Sequence, residues 1–426
     1  MTLETNWAGN VQFGSSQVLH PTSLDEVQHI VATNELVRPL GSRHSFSTVA
    51  DSSGILVSLA SLPPSVEVDV TTKTATIAAG MTYGEVAKEL HRQGWALHNL
   101  ASLGHITVAG ACATATHGSG DHNKCLSAAL RAMTVVDPDG QLVEVAPALD
   151  RDRFEASRAG LGGVGILLSA SLAVEPTYDV AQRVYLDLPF ATFASNYDEI
   201  LSSAYSVSLF TDYRAARFTQ VWRKQRASPD QPLEWPGTWF GAAGAEGPVH
   251  PVPNMSPDAT TRQGGVAGPW HERLPHFRLD HTPSGGEEIQ SEYLVAREHA
   301  APVLEALTAI APSIAPVLLV SEVRSVAADD VWLSPAYGRD TVAFHFTWRK
   351  DPPAVLAVLA EIERQIRPFD ARPHWGKVHR FTTEQLFQAY PRLSTFEEQR
   401  RRLDPSGVFT NAFLDSLGER LAGNGG

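Results

Sequence analysis

Two glycine-rich stretches carry the groups best suited to hold a charged, flat ligand. The first, Val37-Arg38-Pro39-Leu40-Gly41-Ser42-Arg43-His44-Ser45-Phe46-Ser47, follows a short apolar strand and sets one imidazole, His44, among small residues. The second runs from Ser102-Leu103-Gly104-His105 through Thr107 and Gly110 to Ala113-Thr114-Ala115-Thr116-His117-Gly118-Ser119-Gly120. Both are too small and polar for core packing, and their backbone N–H groups need partners. Successive N–H groups of this kind cradle a diphosphate. The plainer reading is a pair of surface turn clusters. Two such loops within one compact stretch favour a ligand.

A second group of residues has the spacing of strand faces. Glu322 and Arg324 stand two apart in an apolar run, so they share a face while Val323 points away. His345 and Thr347 do the same against Phe344, Phe346 and Trp348. In neighbouring strands these four polar groups would converge on one surface. Alternation alone reads as the solvent face of an antiparallel sheet.

Two other signals lead elsewhere. Gly160-Leu161-Gly162-Gly163-Val164-Gly165 fits G-x-G-x-x-G, but a helical segment (Arg153 to Arg158) precedes it and an apolar strand follows. A dinucleotide site needs the reverse order, with the diphosphate on a helix N-terminus. His105, His117 and His374 have ligand chemistry but no tight pairing with a carboxylate in the sequence, so no metal is expected.

The elements that must position these residues alternate. Ser23-Leu24-Asp25-Glu26 is a capping box opening a helix through about Ala32, and Thr82-Tyr83-Gly84-Glu85 opens a second that stops at Gly94. Strands are expected over Thr74–Ala79 and Gly163–Val174, with a hairpin at Pro138-Asp139-Gly140 between Met133–Val136 and Leu142–Val145. From Val180 the texture changes. Strands are expected at Tyr185–Leu188, Gln290–Leu294, Leu318–Val326 and Val342–Trp348, and helices at Phe193–Ala204, Ala301–Ile310 and Ala354–Ile366. Residues 226–270, rich in Pro, Gly, Ala and Trp (Pro232, Pro236, Trp239, Pro269), read as a long ordered loop or lid. The fold class is therefore α+β.

With these residues in view, the chain resembles a known family. Gly41-Ser42-Arg43-His44-Ser45 is similar to the histidyl-FAD attachment motif of the vanillyl-alcohol-oxidase, or PCMH-type, flavoproteins. Ala113–Gly120 resembles their second diphosphate loop, and Gly163-Val164-Gly165-Ile166 their later flavin-contacting strand. Trp7-Ala8-Gly9-Asn10, the Gly268–Phe277 string, Trp332–Tyr337 and Pro373-His374-Trp375-Gly376-Lys377 are similar to segments of the alditol-oxidising branch, so the likeness runs nearly end to end.

The resemblance implies a two-domain PCMH-type fold: an FAD-binding domain over 1–177, an α+β substrate cap over the isoalloxazine at 178–372, a segment 373–418 returning to the flavin, and a frayed tail 419–426. It implies FAD covalently attached through His44 and not through Cys125. The further cofactor contacts it implies are Leu40, Gly41, Ser42, Arg43, Ser45, Ser102, Thr107, Gly110, Thr114, His117, Gly118, Gly165, Ile166, His374 and Lys377. Ser102, Glu322, Arg324, His345, Thr347 and Lys377 match a polyol pocket, with Lys377, Arg324 and His345 in catalytic roles. A polyol needs many donors and acceptors, which this set supplies. The implied reaction takes a hydride from a terminal carbinol to flavin N5, gives an aldose, and returns the electrons to O2 as hydrogen peroxide. Ala101, small, matches the position that controls oxygen access. Rival readings are an aldonolactone oxidase or dehydrogenase of the same superfamily, a flavin-binding protein without catalysis, and, remotely, a metal-dependent hydrolase.

Bulk properties narrow the field further. A net charge of −13 without a Lys/Arg run disfavours nucleic acid and anionic membrane surfaces as partners. Two cysteines, Cys112 and Cys125, give no disulfide framework, and no signal segment or membrane span is read, so a cytoplasmic protein acting on a small molecule is expected. Oligomeric state is left open.

Overall fold

The computed structural model describes residues 4–15, 17–228, 233–280 and 286–423. Pro232 of the expected lid and residues 424–426 of the expected tail lie outside the described residues.

Three larger sheets, with a two-stranded ribbon pairing Trp95–Ala96 with Glu175–Pro176, organise the described residues. A small parallel sheet joins β1 (Val18–Leu19), β2 (Val37–Pro39) and β3 (Ile55–Val57) in the order β1-β3-β2. An antiparallel sheet follows, built from β4 (Val66–Asp69), β5 (Thr74–Ala78), β6 (Leu130–Val136), β7 (Leu142–Val145) and β8 (Ile166–Ala173), ordered β4-β5-β8-β6-β7. Along β8 burial alternates strictly, Ile166, Leu168, Ala170 and Leu172 facing the core, as a one-sided sheet requires. The helix Tyr83–Arg92 opens on the expected capping box, Thr82 and Glu85 each satisfying the other's backbone, and buries Val86, Ala87 and Leu90.

The largest sheet has ten strands, at its centre β9 (Asp179–Pro189), β10 (Ser206–Thr211), β11 (Arg217–Ala227), β12 (Glu288–Ala296), β13 (Leu318–Val326) and β14 (Thr341–Arg349). Their order is β9-β11-β10-β13-β14-β12, all antiparallel, with β15 (Arg372–Pro373) on the outer edge of β12. One face carries Val323, Phe344, Phe346, Trp348, Tyr293 and Val295. It is closed by the helices Phe190–Ser202, Ala300–Ala309 and Pro352–Ile366 through Phe193, Leu304 and Leu359. The other face carries the polar residues, and they are buried too.

Several expectations need correcting. Residues 226–270 are not one long loop: Arg217–Ala227 is a strand, and Thr238–Trp239, Ala242–Gly244 and Gly268–Pro269 add short strands. Trp270 packs beside Tyr178, ring centroids 6.0 Å apart, so it is core and not a cap over a pocket. The last described helix is Ala412–Gly423. None of the described helices is long and apolar enough to cross a membrane.

Candidate active site

Both glycine-rich loops and the polar face of the large sheet open on one cavity of about 530 Å³, within the usual range of cofactor clefts. Its walls include Leu40, Gly41, Ser42, Arg43, His44, Ser45, Ala101, Ser102, Thr107, Gly110, Thr114, His117, Gly165, Ile166, Glu322, Arg324, His345, Thr347, His374 and Lys377. Gly118 alone of the expected contacts is set back. A Cβ there would meet Asn99 and the Leu100 carbonyl at 2.4 Å, so its smallness serves wall packing. The G-x-G-x-x-G stretch follows the helix Arg151–Arg158 and leads into β8, the order that excludes a dinucleotide turn.

The His44 loop is held from three sides. Trp7 N–H donates to the Arg43 carbonyl at 2.9 Å and Asn6 Nδ2 to that of Ser45 at 2.9 Å. Phe46 N–H reaches the Gly376 carbonyl at 2.7 Å, tying the loop to the C-terminal segment. Thr107 N–H donates to Ser42 Oγ at 3.3 Å, which joins the two glycine loops. Arg43, immediately before the imidazole, has φ of +63°, an uncommon conformation for a side-chain-bearing residue and one found at functional turns. Half-buried His44 packs against Trp7 with ring centroids 4.8 Å apart and planes tilted by 35°. Burial, with Lys377 and His105 nearby, lowers it to about 4, so its imidazole is neutral at neutral pH.

Gly41 tests the fit of a cofactor. A Cβ there would lie 2.6 Å from Thr107 Oγ1, so the two loops approach too closely for any side chain. Gly41→Ala is expected to cost about 1–3 kcal/mol as overpacking and to lower flavin content. The absorbance ratio of flavin to protein after purification, with a thermal melt, checks this.

On the sheet side, register brings the polar residues together. Glu322 on β13 lies opposite His345 on β14, which lies opposite Glu292 on β12. Arg324 is the hub: Nη2 donates to Glu292 Oε1 at 2.8 Å, Nη1 to Ser102 Oγ at 3.2 Å, and Glu322 Oε2 stands 3.7 Å away. Burial alone would raise both carboxyls. Arg324 overrides it and, with the surrounding imidazoles, holds both below the ordinary range. Gln290 Oε1 accepts from Lys377 Nζ and lies 3.2 Å from His345 Nε2. An ammonium only donates, so that Gln290 atom is the oxygen and His345 Nε2 must carry the proton. His345 Nδ1 is thereby left unprotonated and able to accept a hydrogen bond. Burial holds His345 at about 3 and lowers Lys377 to about 8.

Glu292 and Gln290 are functional residues that sequence reasoning missed. The spacing that singled out Glu322 and Arg324 also relates Gln290 to Glu292 on β12. The expectation that no histidine pairs with a carboxylate is overturned: His117, His374 and Glu292 offer ligand atoms within 4.8 Å of one another. His117 presents a bare Nε2, since its Nδ1 donates to the Gly118 carbonyl, but the other two members do not suit a cation. His374 Nδ1 accepts from Gly376 N–H at 3.0 Å, which puts its proton on Nε2, and Arg324 already occupies Glu292 Oε1.

Comparison with known proteins agrees with this arrangement. Residues 15–146 match the FAD binding domain family and residues 287–417 the D-arabinono-1,4-lactone oxidase family. The chain is 44% identical over 422 residues to an alditol oxidase of Streptomyces sp. (strain IKD472 / FERM P-14339), covering 98% of this chain and 99% of that one. An L-gulono-1,4-lactone dehydrogenase of Mycobacterium tuberculosis (strain ATCC 25618 / H37Rv) is 26% identical, covering 96% and 97%. In three dimensions the crystal structure of cholesterol oxidase from B. sterolicum superposes with a TM-score of 0.78 at 15% identity, covering 98% of this chain and 96% of that one. Fold, cavity and family matches define an FAD-dependent oxidoreductase. The chain belongs to the alditol oxidase family of PCMH-type flavoproteins.

Proposed function

We propose that the protein oxidises the terminal carbinol of an alditol of the xylitol and sorbitol class to the aldose, with O2 as electron acceptor and hydrogen peroxide as product. The observation that carries this is the polar cluster Ser102, Glu322, Arg324, His345, Thr347 and Lys377 on one cavity with the two glycine loops. A chain of hydroxyls can use every donor and acceptor there, whereas an apolar substrate would leave buried polar groups unpaired.

In this reading residues 1–177 hold FAD, residues 178–372 cover the substrate, and 373–418 return Lys377 to the site. Gly41, Ser42, Thr107 and Gly110 would hold the diphosphate. Neutral His44 would carry the covalent link, since an unprotonated imidazole nitrogen is the nucleophile such a bond needs. Bound FAD supplies the hydride acceptor and, through its reoxidation by O2, the peroxide. The chain's own residues do the rest. Glu322 accepts from polyol hydroxyls, while Arg324 and Lys377 donate to them and polarise the reacting oxygen. His345, neutral and with Nδ1 unprotonated, can accept the hydrogen bond of the reacting hydroxyl and orient it; at about 3 it does not keep the carbinol proton, which passes on to solvent. Ala101 on the cavity wall leaves room for oxygen. Two buried free thiols, Cys112 and Cys125, suit a reducing compartment, and we place the protein in the cytoplasm.

Peroxide release measured across glycerol, xylitol, sorbitol and an aldonolactone tests the reading. Polyols are expected to support turnover; peroxide from the lactone alone would replace this proposal with lactone oxidation.

A further inference from the structure

Lys224 on β11 and the Leu274-Pro275-His276 stretch have no role in the reaction as set out above, yet they are wired to it. Lys224 is fully buried. Its Nζ donates to the carbonyls of Leu274 and Pro275 and stands 3.2 Å from His276 Nδ1. An ammonium has no lone pair, so the nitrogen facing it must have one. Neutral His276 then carries its proton on Nε2, which lies 2.8 Å from Glu322 Oε1. The opposite tautomer would set a bare nitrogen against a carboxylate oxygen at that distance. Edge contacts from Phe210 and Trp222, with centroids 5.5 and 5.3 Å from the imidazole, fix the ring plane.

We propose that Lys224 and His276 are positioning residues for the polyol pocket: the ammonium locks the His276 tautomer, and the Nε2–H so fixed pins Glu322 Oε1. Glu322 Oε2 and Arg324 are then held ready for the polyol hydroxyls. The proposal deepens the polyol reading and rests on it for the substrate. Without the lock, Glu322 is free to turn toward Arg324, whose Nη1 is 3.7 Å from Oε2, and to close the pocket on itself. The titratable and charged groups that face Lys224 are His276 from its own loop and Glu322 and Arg324 from β13. Burial lowers Lys224 to about 7, Glu322 opposing the shift and Arg324 adding to it. Burial and Lys224 push His276 down to about 4, so it is neutral wherever the lock operates. The lock therefore holds between about pH 4 and about pH 7 and loosens above that window.

The test uses the flavin-loaded full-length protein labelled with 15N-histidine. The expected spectrum shows His276 with an unprotonated Nδ1 and a protonated Nε2 at pH 6, a mixture of tautomers above a midpoint near 7, and loss of that transition in Lys224→Met. The same variant is expected to raise KM for the best polyol at least about tenfold at pH 6, with a smaller effect on kcat. It should also remove the fall in polyol kcat/KM centred near 7. An Nδ1-protonated His276 in the wild-type protein, or a tautomer and KM unchanged in Lys224→Met, overturns the proposal. Should Lys224→Met not fold, the wild-type titration decides alone. A protein with the expected tautomer transition but no activity on any polyol would leave the lock standing and sink the substrate reading instead.

Discussion

Replacing Lys377 by Met is expected to slow anaerobic reduction of the flavin by about 10²–10³-fold, while polyol affinity changes by less than about tenfold. Met keeps most of the unbranched apolar stem and removes the charge together with its N–H donors. In the wild-type protein that charge is half-buried and retained at neutral pH: burial, opposed by the attraction of Glu292 and aided by Arg324, lowers Lys377 only to about 8. Its Nζ lies against Gln290 Oε1 and 5.0 Å from the Phe46 ring, beside the His44 loop. A rigid ammonium in a dry site acts on developing negative charge without reorganisation, which is why the loss should fall on the chemical step. The sign of the pH effect follows. Below about 8 Lys377 is the ammonium and active; above it the amine forms, so flavin reduction should fall through that pH in the wild-type protein and not in the variant. Stopped-flow reduction by xylitol from pH 6 to 10 measures both effects. Equal rates in the two proteins would remove Lys377 from the mechanism.

The largest effect on stability is expected at Glu292. Its carboxylate is 2% exposed and accepts from Arg324 at 2.8 Å, with His117 Nε2 3.4 Å away. Glu292→Ala removes the nearer carboxylate of a buried cluster and leaves Arg324 only Ser102 and the more distant Glu322, a change that costs about 3–5 kcal/mol. Glu292→Gln keeps the shape and one acceptor and should cost less. Because Glu292 is depressed well below its ordinary value, its contribution is present above the unfolded carboxyl pKa and is lost as pH falls below it. Urea unfolding at pH 7 and pH 4 should therefore separate wild type from Glu292→Ala more widely at the higher pH. A gap of under about 1 kcal/mol at pH 7 would mean that the pair contributes little.

Much of the arrangement was legible in the residues. Two-residue spacing placed Glu322 with Arg324 and His345 with Thr347, and β13 and β14 do run side by side with Glu322 opposite His345. Small polar loops announced one wall of the cavity, and the order of helix and strand around Gly160–Gly165 dismissed the dinucleotide motif. Among the strands that went unread, two did so for a clear physical reason. β11, Arg-Phe-Thr-Gln-Val-Trp-Arg-Lys-Gln-Arg-Ala, is rich in polar residues because one of its faces lines buried polar ground, where Gln220, Trp222 and Lys224 lie. That erases the apolar-in, polar-out signal. β10 is buried on both faces and too short to show a period. The tail helices Thr383–Ala389 and Leu393–Leu403 were also missed, although Thr382 and Gln385 form a capping box that the same rule finds at Thr82. Glu292 needed tertiary structure: its meaning comes from Arg324, His117 and His374, which arrive from three distant parts of the chain.

The central claim, that FAD is bonded to His44, is tested most directly by the intact mass of the protein after denaturation in acid. The chain mass plus one FAD is expected, with the yellow adduct on the proteolytic peptide that contains His44 and absent from His44→Ala. An unmodified mass for the wild-type chain, or an adduct that survives in His44→Ala, would contradict it.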